Sequence, residues 1–74
     1  VSKSRVVDYH LARLNDKRAS IRIDAIQELV LLNSTEVLDK LREVYEQDED
    51  DEVRKAAQVA GREIFLKNQG TQQG

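Results

Sequence analysis

Few side chains in this 74-residue sequence are of a type that does chemistry: there is one histidine and no cysteine. His10 has no His, Asp or Glu three or four positions away, so it lacks a helical partner for holding a metal. It reads as a surface or boundary histidine. Without a thiol, and with serines only at expected helix starts or in the basic N-terminal stretch, no nucleophile–base pair can be drawn. The acidic run Asp48-Glu49-Asp50-Asp51-Glu52 invites a calcium reading. An EF-hand loop that began at Asp48 would need Gly and Glu at its sixth and twelfth positions; Val53 and Val59 stand there instead. Capping and solvation of a turn account for the run. The remaining polar signal is a pair of Asp/Arg spacings, Asp16 with Arg22 and Asp48 with Arg54, each six residues apart. No catalytic residue, metal ligand or cofactor is expected.

Charge is segregated along the chain. Residues 1–22 carry +4, residues 23–53 carry −9 and residues 54–74 carry +3. Lys55, Arg62 and Lys67 make a modest basic face on the last segment, close to the acidic turn. With no tryptophan and no extended basic cleft, nucleic-acid binding is disfavoured. Glu36, Asp39, Glu43 and Glu46 form an acidic stripe at helical spacing and read as a solvent face.

The elements that position these residues are helical. No proline is present, and apolar residues recur at helical spacing rather than alternating. Four helices are predicted: about Ser4 to Leu14, Ala19 to Leu32, Asn33 or Ser34 to Gln47, and Asp50 to Lys67. Asn33 and Glu36 suggest a capping box, and Asp50 an N-cap. The apolar-free tail 68–74 is expected to be disordered. Short connections force consecutive helices to be antiparallel.

Shifting the chain by thirty-two residues superposes Asp16, Ile21, Arg22 and Ala25 on Asp48, Val53, Arg54 and Ala57. Val7, Leu11 and Leu14 match Val37, Leu41 and Val44 at an offset of thirty. Ile21 and Val53 would open the inward face of the second helix of each pair, and Ala25 and Ala57 would permit close helix crossing. Ile23, Ile26 and Val30 have polar counterparts Lys55, Gln58 and Arg62, whereas Ala56, Val59 and Ala60 have polar counterparts Asp24, Gln27 and Glu28. The two apolar triplets are therefore expected to pack on each other, with the polar triplets outward at both ends. That pattern predicts a finished two-repeat unit, since terminal repeats need polar outer faces.

The D-x4-[VI]-R-x2-A pattern resembles the HEAT repeat, in particular the short HEAT-like repeats of the phycobilin-lyase type, over about residues 5–66. The resemblance implies an all-α fold: two antiparallel helix pairs stacked as a minimal right-handed α-solenoid. Repeat one would occupy about 4–33 and repeat two about 34–67, within one domain of residues 1–67. It also implies that Asp16, Arg22, Asp48 and Arg54 form a structural ladder of charge-assisted hydrogen bonds. The His-Glu dyads through which HEAT-like deoxyhypusine hydroxylases hold iron are absent, as are the aromatic and basic clefts of HEAT-like DNA glycosylases.

The function expected is a non-catalytic protein-interaction or adaptor module. Apolar residues left outside by the stacking scheme, Tyr9, Leu31, Phe65 and Leu66, are candidate contacts, along with Lys55 and Arg62. The alternative implied by the resemblance is an accessory role in phycobilin handling. A homodimer would supply burial that two repeats lack, because about three are usually needed for stability. No run approaches the ~20 apolar residues of a membrane span, and no signal-peptide pattern opens the chain, so a cytoplasmic location is the default.

Overall fold

Apolar residues spaced three and four apart give this chain helices that must cover one face each, and the helices cover one another. The structure, a computed structural model, describes the backbone of residues 3–73 and the side chains of residues 5–69. The described residues form four α-helices in order: α1 (Lys3–Arg13), α2 (Ala19–Leu32), α3 (Leu38–Gln47) and α4 (Asp51–Gln73). A 3₁₀ turn, Thr35–Val37, leads into α3. The helices pack as α1 on α2, α3 on α4, and α2 on α4, the arrangement of a small HEAT-like solenoid.

One core runs through all four helices. Val7 and Leu14 enter it from the first helical segment, Leu29 from α2, Leu41 from α3, and Val53 and Ile64 from α4. Ala25 and Ala57 are fully enclosed, as expected of small residues at helix crossings. Ile21 and Val53, which the repeat treats as equivalents, differ: Val53 is buried and Ile21 only half-buried.

The α2–α3 connection departs from the sequence expectation. Asn33 does not open α3 in a capping box. It closes α2 in the left-handed conformation, φ 51° and ψ 45°, with its N–H donating to the Leu29 and Val30 carbonyls at 3.2 and 3.0 Å. Asn tolerates this conformation better than most residues, which suits it to end a helix in a chain without a nearby glycine. Its Oδ1 also accepts from Asn68 Nδ2 at 3.1 Å. The helix that follows starts later, through the 3₁₀ turn, and Ser34 makes no side-chain cap.

At the other end, α4 continues to Gln73 rather than fading after Lys67. Adding a residue to an existing helix costs little compared with starting one, so a lack of apolar residues does not by itself stop it. Asn68 contributes, donating to the Ile64 carbonyl at 2.8 Å as well as to Asn33. Gly74 of the expected tail lies outside the described residues. No described helix is long and apolar enough to cross a membrane.

Candidate protein-interaction surface

The two Asp-to-Arg turns use the same backbone device. Asp16 Oδ1 accepts from the Arg18 N–H at 2.8 Å, and Asp48 Oδ1 accepts from the Asp50 N–H at 2.9 Å. Each carboxylate thereby closes a short turn before a helix. Each arginine six residues on reaches back to its own aspartate's main chain: Arg22 Nη1 to the Asp16 carbonyl at 2.8 Å, Arg54 Nη1 to the Asp48 carbonyl at 2.7 Å. Neither arginine bonds the carboxylate of its own pair. Arg22 instead crosses between repeats, with Nε and Nη2 donating to the two oxygens of Asp48 at 2.9 and 3.1 Å. That bidentate pair is nearly buried, with side chains 10% and 11% exposed.

The outer rungs close locally. Asp16 pairs with exposed Arg18, whose side chain and then whose backbone N–H hold the carboxyl down at about 2 from the usual 3.8. Arg54 Nη2 pairs with Asp51 on the same helix. Asp50 caps α4, accepting from the Val53 N–H at 3.0 Å. Three carboxylates of the acidic run are therefore engaged by the protein itself. Among the described residues no group of three or more His, Cys, Asp or Glu is placed to hold a metal ion. Single His10 accepts at Nδ1 from Arg13 at 3.0 Å and stands edge-on to Tyr9.

Where α2 lies beside α4, the two apolar triplets meet as expected at the bottom and part at the top. Ile26 and Ala60 are buried, whereas Ile23, Val30 and Ala56 are only half-buried and Val59 is 54% exposed. The expectation that Val59 packs between the repeats is therefore corrected. Alanines 56 and 60 are too short to fill the space opposite two isoleucines and a valine, so a groove of about 470 Å³ remains. Gln27, Glu52, Lys55 and Glu63 stand along its edges.

The polar triplets Asp24, Gln27, Glu28 and Lys55, Gln58, Arg62 are all exposed, but Gln27 and Lys55 stand at the α2–α4 groove and not at the outer ends, which corrects the expectation for those two. The second end is not wholly polar, however. Leu38, Tyr45, Gly61 and Phe65 line a further groove, of about 330 Å³, between α3 and α4. This corrects the expectation of a polar cap at that end: the repeat comparison looked at α4 and left out what α3 adds beside it.

The candidate contact residues do not form one patch. Tyr9 lies on α1 under the Arg13 guanidinium, 5.7 Å from the ring centre. Leu31 is 77% exposed on α2. Phe65 joins the α3–α4 groove, Lys55 the α2–α4 groove, and Arg62 and Leu66 are exposed on α4. Sequence reasoning missed Ile23, Val30 and Val59 as accessible surface. The available signal was size, since three branched side chains were set against two alanines and one valine.

The family model for HEAT repeats matches residues 1–61. No curated protein and no solved structure matches the chain significantly. Paired antiparallel helices, an Asp–Arg contact from one pair to the next and this match over most of the sequence agree: the chain belongs to the HEAT-repeat family.

Proposed function

We propose that the chain is a non-catalytic protein-interaction module that holds a helical segment of another protein in the groove between α2 and α4. The observation that carries this reading is the groove itself, with an apolar floor at Ile26 and Ala60 and accessible apolar walls at Ile23, Val30 and Val59. A helix docking there would present apolar residues at i, i+3 and i+4. Glu52 and Glu63 on the edges favour basic residues beside that stripe.

The test is affinity purification of the tagged chain from its own cells, run in parallel with Val59→Glu and with Leu66→Ser as a control. A partner lost with Val59→Glu and retained with Leu66→Ser supports the groove, provided circular dichroism shows both variants folded. A partner retained by both variants, or none at all, overturns it.

The resemblance of the Asp–Arg signature to the short repeats of the phycobilin-lyase type is what supports a second reading, an accessory role in bilin handling. It predicts a shift in bilin absorbance on mixing with the chain; an unchanged spectrum removes it.

A further inference from the structure

α2 and α4 run parallel. Arg22, in the first turn of α2, bonds Asp48 just before α4, while Asn33, which closes α2, bonds Asn68 well along α4. The groove between them therefore has a starting end and a finishing end. Its two edges also differ in charge. On the α2 edge stands neutral Gln27; on the α4 edge Glu52, Lys55 and Glu63 follow in that order. At the helical rise, Lys55 lies ~4.5 Å beyond Glu52 and Glu63 ~12 Å beyond Lys55.

The charges around the groove are mostly engaged within the chain. Near the starting end Arg18, Arg22 and Arg54 are held by Asp16, Asp48 and Asp51, and Asp50 caps α4. At the finishing end Lys67 bridges Glu63 at 3.6 Å. Asp24, Glu49 and Lys17 are exposed around the starting end, and Glu28 and Arg62 farther along; none of them lines the groove, nor does any residue of α1 or α3. Among the described residues, Glu52 and Lys55 are the edge charges in no ion pair.

A docked helix therefore meets an acid and then a base as it is followed along α4, and needs a base and then an acid to match them. A helix parallel to α4 would carry the base first; an antiparallel one would carry the acid first. The second order is the one a helix favours. Glu ahead of Lys one turn later stabilises it more than the reverse, and a base in the last turn complements its dipole. A short segment that becomes helical on docking depends on such preferences, because alone it is marginal. Exposed Asp24 and Glu49 at the starting end outnumber Lys17 and add to the attraction for a basic last turn.

We propose that the helix held between α2 and α4 lies antiparallel to both, with an acidic residue opposite Lys55 and a lysine or arginine three or four positions later opposite Glu52. This rests on the groove reading and adds direction and charge pattern to it.

The chain has no cysteine, so a single one can carry a nitroxide. Ser20→Cys marks the starting end and Leu66→Cys the finishing end, both at exposed positions. The probe is a synthetic, amidated peptide of about fifteen residues, with leucines at i, i+3, i+4 and i+7, one Glu three positions before one Lys on one flank, and neutral residues elsewhere. Paramagnetic broadening should strike its C-terminal residues from Ser20→Cys and its N-terminal residues from Leu66→Cys. Glu52→Lys with Lys55→Glu should weaken binding about fivefold at low ionic strength and by less in salt. Val59→Glu, with helicity unchanged, should abolish it. Broadening of the N-terminal residues from Ser20→Cys, or of both ends alike, overturns the direction, and an affinity indifferent to the charge exchange overturns the charge pattern. In either case, loss of binding in Val59→Glu leaves the groove reading standing. A peptide that does not bind, or that still binds Val59→Glu, overturns both.

Discussion

Arg22 and Arg54 occupy the same position of the same motif, make the same bond to the main chain of the turn before them, and live in different surroundings. Arg22 is 9% exposed and spends its remaining donors on Asp48 of the next helix pair. Arg54 is half-buried, its side chain 37% exposed, and finds only Asp51 on its own helix. The difference shows that the motif specifies a turn, while the neighbouring pair decides what the arginine is worth. A charge is stabilising in a protein interior only when its partners are in place, and only Arg22 has all of them.

The largest consequence should follow from removing Arg22. Arg22→Ala would leave the Asp48 carboxylate nearly buried without its cation, and the Asp16 and Lys17 carbonyls without a shared donor. Breaking a buried pair from one side costs about 3 kcal/mol or more. Total stability for a chain of this length is on the order of 4–10 kcal/mol. Urea unfolding should therefore show a midpoint sharply lowered, with the transition still cooperative. A change below about 1 kcal/mol would mean that Asp48 is better hydrated than its burial implies.

Arg54→Ala should do much less to the same measurement. It removes one charge-assisted bond to the Asp48 carbonyl and an exposed pair with Asp51, together worth about 1 kcal/mol. Equal losses at Arg22 and Arg54 would break the comparison, because the value would then lie in the shared turn rather than in the contact between repeats.

What the sequence made legible follows the same division. Features repeated in both copies could be read: four helices, the Asp–Arg turns, the alanines at the crossings. Asp50 was readable as a cap because an acidic side chain before a helix has one dominant use. Asn33 was not, since the same residue type caps a helix start or ends a helix in the left-handed conformation, and its side-chain partner Asn68 lies 35 residues away. The grooves escaped for a different reason. Periodicity tells which way Val59 or Tyr45 points, but whether a neighbour fills the facing space depends on the relative sizes of side chains on separate helices. Candidate contact residues were therefore named individually, while the surface joining Ile23, Val30 and Val59 emerged only from packing.

Leu29 and Gly61 extend the comparison to apolar positions. They are equivalent in the repeat, yet Leu29 is fully buried and Gly61 is half-buried, with nothing within 4 Å of the position a Cβ would take. Gly61 has no positive φ that would demand glycine. Gly61→Ala should stabilise the helix by about 0.5–1 kcal/mol, raising the melting temperature by roughly 4 °C. A fall in melting temperature would show that the α3–α4 groove is closed in solution and that Gly61 is part of what closes it.

The smallest effect concerns the rung at Asp16. Asp16 titrates at about 2 when folded against 3.8 ordinarily, chiefly through the Arg18 guanidinium and next through the Arg18 N–H. Its folded value lies below its unfolded one, so its contribution to stability is fully present above pH 3.8 and is lost as pH falls toward 2. Carboxyl carbon NMR should place the Asp16 midpoint near 2. In Arg18→Ala the guanidinium is gone but the backbone N–H still bonds the carboxylate, so the midpoint should rise only part of the way to 3.8. A full return to 3.8 would mean that the turn opens without the Arg18 side chain. Asp16 would then differ from Asp48 in backbone structure as well as in partner, and the equivalence of the two turns would fail at its first residue.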